Sequence, residues 1–164
     1  MRHLILCSVM WLCGLMMAAG QNVPQVIPAL QQWKSAKGKL VLPEKGKVII
    51  SPDEAKELKE GAEILVQDLK DMFGWDYRVV TGKKEKGAVC LALGKPDKTL
   101  GEEGYRMDVR SEVTIEAPTS KGVFWGTRTL LQMIHNQPCC RISTCCDTKS
   151  CYSVVCFYFD NQSL

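Results

Sequence analysis

Acid–base chemistry at neutral pH needs two carboxyl groups whose surroundings push their pKa values apart. Two adjacent pairs of acids invite that reading, Asp53-Glu54 and Glu102-Glu103. Glu102-Glu103 lies in a polar loop where nothing sets one acid apart from the other, so solvated surface is the better reading. Asp53-Glu54 follows Ser51-Pro52, and the four residues read as a helix start: Ser51 as cap, Pro52 at the first helical position, Glu54 completing a capping box. Cys90 sits inside the apolar run Ala88 to Leu93 with no histidine close in sequence, which describes a small buried hydrophobe better than a nucleophile. His135 falls at a helix end that favours a positive group. Gly82-Lys83-Lys84 lacks the strand-to-helix setting of a phosphate loop. In the tail, no Cys-x-x-Cys pair accompanies His135, so metal-ligand spacing is poor. Asn161-Gln162-Ser163 fits a glycosylation acceptor close to the terminus. No catalytic, cofactor-binding or metal-ligating residue is therefore assigned, and no cofactor is expected.

The elements that would have to position any such group are readable from periodicity. Leu40-Val41-Leu42 is expected to be a short strand ended by Pro43, and Val48-Ile49-Ile50 the next one. Ala55, Leu58, Ala62, Leu65, Val66, Leu69, Met72 and Phe73 recur at spacings of three and four, an amphipathic helix that Gly74 ends in a left-handed cap. Gly61 in its middle has no evident cause. Tyr77 to Thr81 reads as a strand, and Ala88 to Leu93 as a strand buried on both faces. Tyr105, Met107 and Val109, then Val113, Ile115 and Ala117, alternate with polar residues about Arg110-Ser111-Glu112, the pattern of a hairpin. Pro118 stops the strand, and Thr119 or Ser120 caps a second helix with Val123, Thr127, Leu130, Leu131 and Ile134 along one stripe. Gly126 within that stripe would let a backbone approach. The expected fold class is α+β: a mixed, mostly antiparallel β-sheet with two α-helices on one face.

Composition narrows the partners. The formal net charge is +3, with lysines scattered among glutamates and aspartates. That describes a solvated surface and not a nucleic-acid stripe, so no nucleic-acid partner is expected. Residues 1–20 read as a secretory signal: Arg2, the apolar stretch Leu4 to Met17, then Ala18-Ala19-Gly20. The apolar run is short for a bilayer span, so no stable membrane insertion is expected after cleavage, and the location would be periplasmic or secreted.

The passage from Gly104 to Ile134 resembles the end of the N-terminal domain that precedes the catalytic barrel in glycoside hydrolase family 20, the β-N-acetylhexosaminidases. The likeness is carried by Gly104-Tyr105, Val113 to Ala117, Gly122, Phe124-Trp125-Gly126 and Thr129-Leu130-Leu131-Gln132-Met133. Val26-Ile27-Pro28 matches the usual opening of that domain more loosely. The resemblance implies the same sheet-and-helix fold. It also implies a parent enzyme that removes terminal N-acetylhexosamine from glycans by retaining, substrate-assisted hydrolysis, with an Asp-Glu pair on the barrel. A barrel needs on the order of 250 residues, more than this chain supplies, so the chain is expected to be inactive alone and to meet glycan only through that barrel. Trp125 is then more naturally a packing residue, against the barrel, than a sugar platform. Other readings stay open: the corresponding domain of an α-glucuronidase or hyaluronidase-like glycosidase, or a secreted carbohydrate-binding module.

The division expected is a signal at 1–20, the domain at 21–134, and a Cys-rich tail at 135–164. The tail carries six of the seven cysteines outside the signal. A disulfide knot, a metal site and a shifted reading frame compete to explain it. The third is preferred because the tail obeys no local pattern.

Overall fold

The computed structural model describes residues 24–27, 29–32 and 40–136. The signal at 1–20, Pro28, and the tail beyond Asn136, with its cysteines and Asn161-Gln162-Ser163, lie outside the described residues.

Five strands and two helices follow in order: β1 (Lys45–Ile50), α1 (Ala55–Phe73), β2 (Asp76–Thr81), β3 (Val89–Leu93), β4 (Arg106–Val109), β5 (Val113–Ala117) and α2 (Ser120–Asn136). The strands form one sheet in the order β2-β1-β3-β5-β4. The mixed α+β layer is as expected, but the balance of directions is the reverse of the expected one. β1 runs parallel to both β2 and β3, β3 runs parallel to β5, and the β4–β5 hairpin supplies the antiparallel pairing. The reason lies in the connections: a strand that returns through a helix to pair beside its start must arrive parallel. Leu40-Val41-Leu42 is not a strand. It pairs with no strand among the described residues; Leu40 and Leu42 lean on the core while Val41 stands exposed.

Alternation divides the sheet into two unlike faces. Val48, Ile50, Val89, Leu91, Met107, Val113 and Ile115 point to the helical side and share one cluster with Leu58, Leu65 and Leu69 of α1 and Val123, Leu130 and Leu131 of α2. The alternate positions, which face the other side, include Lys47, Arg78, Asp108 and Glu116, with Ile49 and Cys90 between them. Those two are nonetheless buried, in a small second cluster with Ala88. The cover is the segment 82–88. β2 and β3 are parallel with β1 between them, so this segment must return from one end of the sheet to the other across β1. It does so on the helix-free side, where Glu85 reaches Lys47 at 2.6 Å. Crossing leftward over one face through α1 and rightward over the other keeps both crossovers the same hand. The both-face burial expected for β3 is thus met, with helices above and a strap below.

Helix ends follow local chemistry. At α1 the expected capping box is not made. No side chain caps the turn, and backbone bonds close it instead, Glu54 N–H to Ser51 C=O at 3.1 Å and Ala55 N–H to Pro52 C=O. The 3-10 turn Pro52–Glu54 thereby satisfies donors that the Ser51 hydroxyl would otherwise take. Gly74 ends α1 at φ 72°, the left-handed cap expected. At α2, Thr119 is the cap: its hydroxyl oxygen accepts the Gly122 N–H at 3.1 Å.

Two close approaches seat α2 on the sheet. A Cβ on Gly122 would stand 2.5 Å from the Gly104 carbonyl oxygen, so here a backbone does come close. At Gly126, the position expected to do this, the neighbour is a side chain: a Cβ would meet Ile115 Cγ2 at 2.4 Å. The chain before β1 is tied to the same helix. Gln132 receives the Ile27 N–H and donates to the Ile27 C=O, both at 2.8 Å, so a side-chain amide acts as a strand edge would.

Candidate functional site

Each residue singled out from the sequence has a definite place. Glu102 is exposed, and its backbone C=O accepts the Thr119 hydroxyl. Glu103 pairs with Lys121 at 3.1 Å. Neither is drawn toward a second acid in a cleft. Asp53 and Glu54 belong to the turn before α1. His135 is exposed on the last turn of α2. Gly82, Lys83 and Lys84 begin the strap and precede no helix.

Cys90 is buried on the strap side of β3, and burial pushes its thiol up from the ordinary value, the state of an inert thiol. The buried tyrosines behave alike. Tyr77 donates to the Pro43 C=O at 2.8 Å, and Tyr105 shares a hydrogen bond of 2.5 Å with Thr129. Burial pushes both phenols well above their usual range.

Among the described residues two concavities stand out. One, of about 430 Å³, opens at the carboxyl ends of β3 and β5 and is lined by Gly94, Lys95, Asp97, Arg106 and Glu116. It holds two acids, but Asp97 is kept below the usual carboxylate range, first by the Thr99 hydroxyl, then by the Thr99 N–H and by Arg106 at 2.6 Å. An acid held ionised in this way has no proton to give, and its oxygens are already engaged by Thr99 and Arg106. The other, of about 240 Å³, lies between α1 and α2 and is lined by Leu58, Gly61, Ile64, Val123, Phe124 and Thr127. Glu57, Glu60, Ser120 and Lys121 complete its lining, which is therefore part apolar and part charged. Among the described residues no group of three His, Cys, Asp or Glu side chains is placed to hold a metal.

The outward side of the helical layer carries the feature that periodicity missed. Ile64 and Met72 of α1 and Trp125 of α2 are exposed there, although Met72 was counted with the core stripe. Beside them Asp68 bridges the helices: Arg128 Nη1 lies 2.6 Å from its carboxylate and the guanidinium sits 4.7 Å over the Phe124 ring. An i,i+4 reading treats one helix at a time and cannot see a partner on the next.

What fold and geometry define, among the described residues, is a sheet-and-helix layer with a packed core and no group of acids gathered in a cleft. Residues 23–146 match the family described as glycosyl hydrolase family 20, domain 2, and the chain belongs to that family. The match runs past Ile134, where the sequence pattern breaks. No curated protein matches the sequence. Among solved structures, the fold is similar to the family 20 β-N-acetylhexosaminidase of Streptomyces coelicolor A3(2), at 23% identity and TM-score 0.54, covering 84% of this chain and 26% of that one. It is similar also to the N-acetyl-β-hexosaminidase of Streptomyces plicatus, at 21% identity and TM-score 0.57, with 84% and 26% covered. A third is the family 20 exo-β-N-acetylglucosaminidase of Vibrio harveyi, at 20% identity and TM-score 0.54, with 85% and 19% covered. The chain thus spans about a quarter or less of the length of these relatives.

Proposed function

We propose that this chain is the accessory N-terminal domain of an exported β-N-acetylhexosaminidase, which braces a catalytic barrel and does no chemistry itself. The observation that carries the reading is the family match across residues 23–146. The surface agrees with it. Ile64, Met72 and Trp125 each leave apolar area in water on the helices, area that a second body would cover. The parent reaction would be retaining, substrate-assisted removal of terminal N-acetylhexosamine, with an Asp-Glu pair supplied by the barrel and the substrate's acetamide in place of a nucleophilic carboxylate. Residues 1–20 would direct export to the periplasm or beyond.

The test is hydrolysis of an aryl N-acetylglucosaminide by the purified chain. No turnover above the spontaneous rate is expected. Turnover that survives repeated purification would overturn the assignment, because it would require an acid–base site within this domain.

A further inference from the structure

The helix-free face of the sheet gathers charges that are far apart in the sequence. Lys47 and Arg78 are register partners on neighbouring strands β1 and β2, so two cations stand side by side on one face. Lys45 stands two residues along on that same face, beside Asp76. The strap then carries Lys83, Lys84 and Lys86 along this face from the carboxyl end of β2 to the start of β3, anchored by Glu85 on Lys47. Six cations thus meet three acids, Asp76, Glu85 and the Glu112 that lies near Cys90, and Glu85 is already engaged with Lys47. Lys45, Arg78, Lys83, Lys84 and Lys86 form no ion pair among the described residues, whereas on the opposite edge Arg106 and Arg110 are paired with Asp97 and Asp108. Like charges set directly across strands are destabilising, and an uncompensated group of them raises the local potential.

We infer that this face binds an anionic polysaccharide, one bearing sulfate or carboxylate groups, in the course of the parent enzyme's action on glycans; the inference rests on the accessory-domain reading above. The surface itself separates this occupant from others. Strand geometry spaces the cations about 4.8 Å across and roughly 6.6 Å along the sheet, an extended array suited to a repeating chain of charges. The strands present no aromatic ring on this side for bases to stack on, the rings of Phe124 and Trp125 belonging to α2. Nor is a large apolar side chain strongly exposed there to enter a lipid layer: Val80 beside Arg78 is half-buried, Ile64, Met72 and Trp125 belong to the helices, and Ile27 and Val41 to the chain before β1. Sequence order hides the array, because strand pairing and the strap's path bring its members together.

The experiment measures binding of the full chain to chondroitin sulfate and heparin by affinity chromatography and titration across a salt series, with chitin oligosaccharide, anionic phospholipid vesicles and single-stranded DNA as parallel probes. Retention on the sulfated glycans that falls steeply with salt is expected. The variant R78Q/K84Q/K86Q changes three exposed side chains, and circular dichroism verifies its fold. It should bind about a hundredfold more weakly, each basic residue facing a polyanion being worth about fivefold. K56Q/K59Q/K70Q, with the same change of net charge on α1, should bind nearly as the parent chain does. Equal losses in the two variants would reduce the effect to overall charge and overturn the proposal. So would tighter binding to vesicles or DNA than to glycan, or no binding at low salt. The readout does not involve hydrolysis, so its failure leaves the accessory-domain reading standing, and hydrolysis by the isolated chain would overturn that reading without touching this one.

Discussion

Each helix has a glycine near its middle, and packing gives the two opposite meanings. A Cβ on Gly61 would meet nothing within 4 Å, so Gly61→Ala should stabilise the domain by about 0.5–1 kcal/mol through the backbone entropy it removes. Gly126 is pressed against the fully buried Ile115, and Gly126→Ala should cost roughly 1–3 kcal/mol as α2 is pushed off the sheet. Urea unfolding of the two variants tests both signs at once. The sequence marked both glycines but not this difference, because the distance to the next layer is set by residues on other elements. The tyrosines add a pH dependence. Both phenols lie above their unfolded value of 10.0, so the neutral form is the one the fold favours. Stability is then whole below about pH 10. It is lost as pH rises past that, by about 1.4 kcal/mol per unit for each tyrosine, since the unfolded chain releases protons that the folded one keeps. Alkaline titration should show an earlier unfolding midpoint than for Tyr77→Phe, provided that variant is compared at equal neutral-pH stability.

Among the elements, helices, hairpin and the doubly buried β3 were all legible, since each shows its own periodicity. Strand direction was legible too, in a different place: β1, α1 and β2 follow one another in the pattern of a parallel crossover. Counting alternating strands gave weight to the one hairpin, Arg106–Ala117, and missed that the longer connections decide the rest. The false strand at Leu40-Val41-Leu42 has a related origin, because alternation reports a half-buried segment and says nothing of a partner to bond with. Hydrogen exchange should recover the layering. The slowest amides are expected in Val48–Ile50, Val89–Leu91 and Val113–Ile115, strands with a neighbour on both sides. Gln132→Ala should leave those unchanged while the Ile27 amide exchanges much faster, as its 2.8 Å acceptor is removed. Protection of Ile27 in that variant would show that the segment is held by something other than the amide.

At the scale of the molecule, the family could be recognised from one contiguous run, and the structure explains why that run is so densely marked. Gly104, Tyr105, Gly122, Gly126 and Thr129 all meet where α2 lies on the hairpin, so several constraints fall on few positions. The surfaces were not legible in the same way. The exposed apolar side chains of the helices and the cationic sheet face each draw on elements separated by much of the chain, and no window of residues contains either.

The strap across the back of β1 has a bearing on how the molecule is put together. With α1 passing in front and segment 82–88 passing behind, the first strand to be synthesised becomes the one enclosed. Trypsin, acting at the exposed Lys83, Lys84 or Lys86, would open this clasp with a single cut and change a strand enclosed on both sides into one free to depart on one.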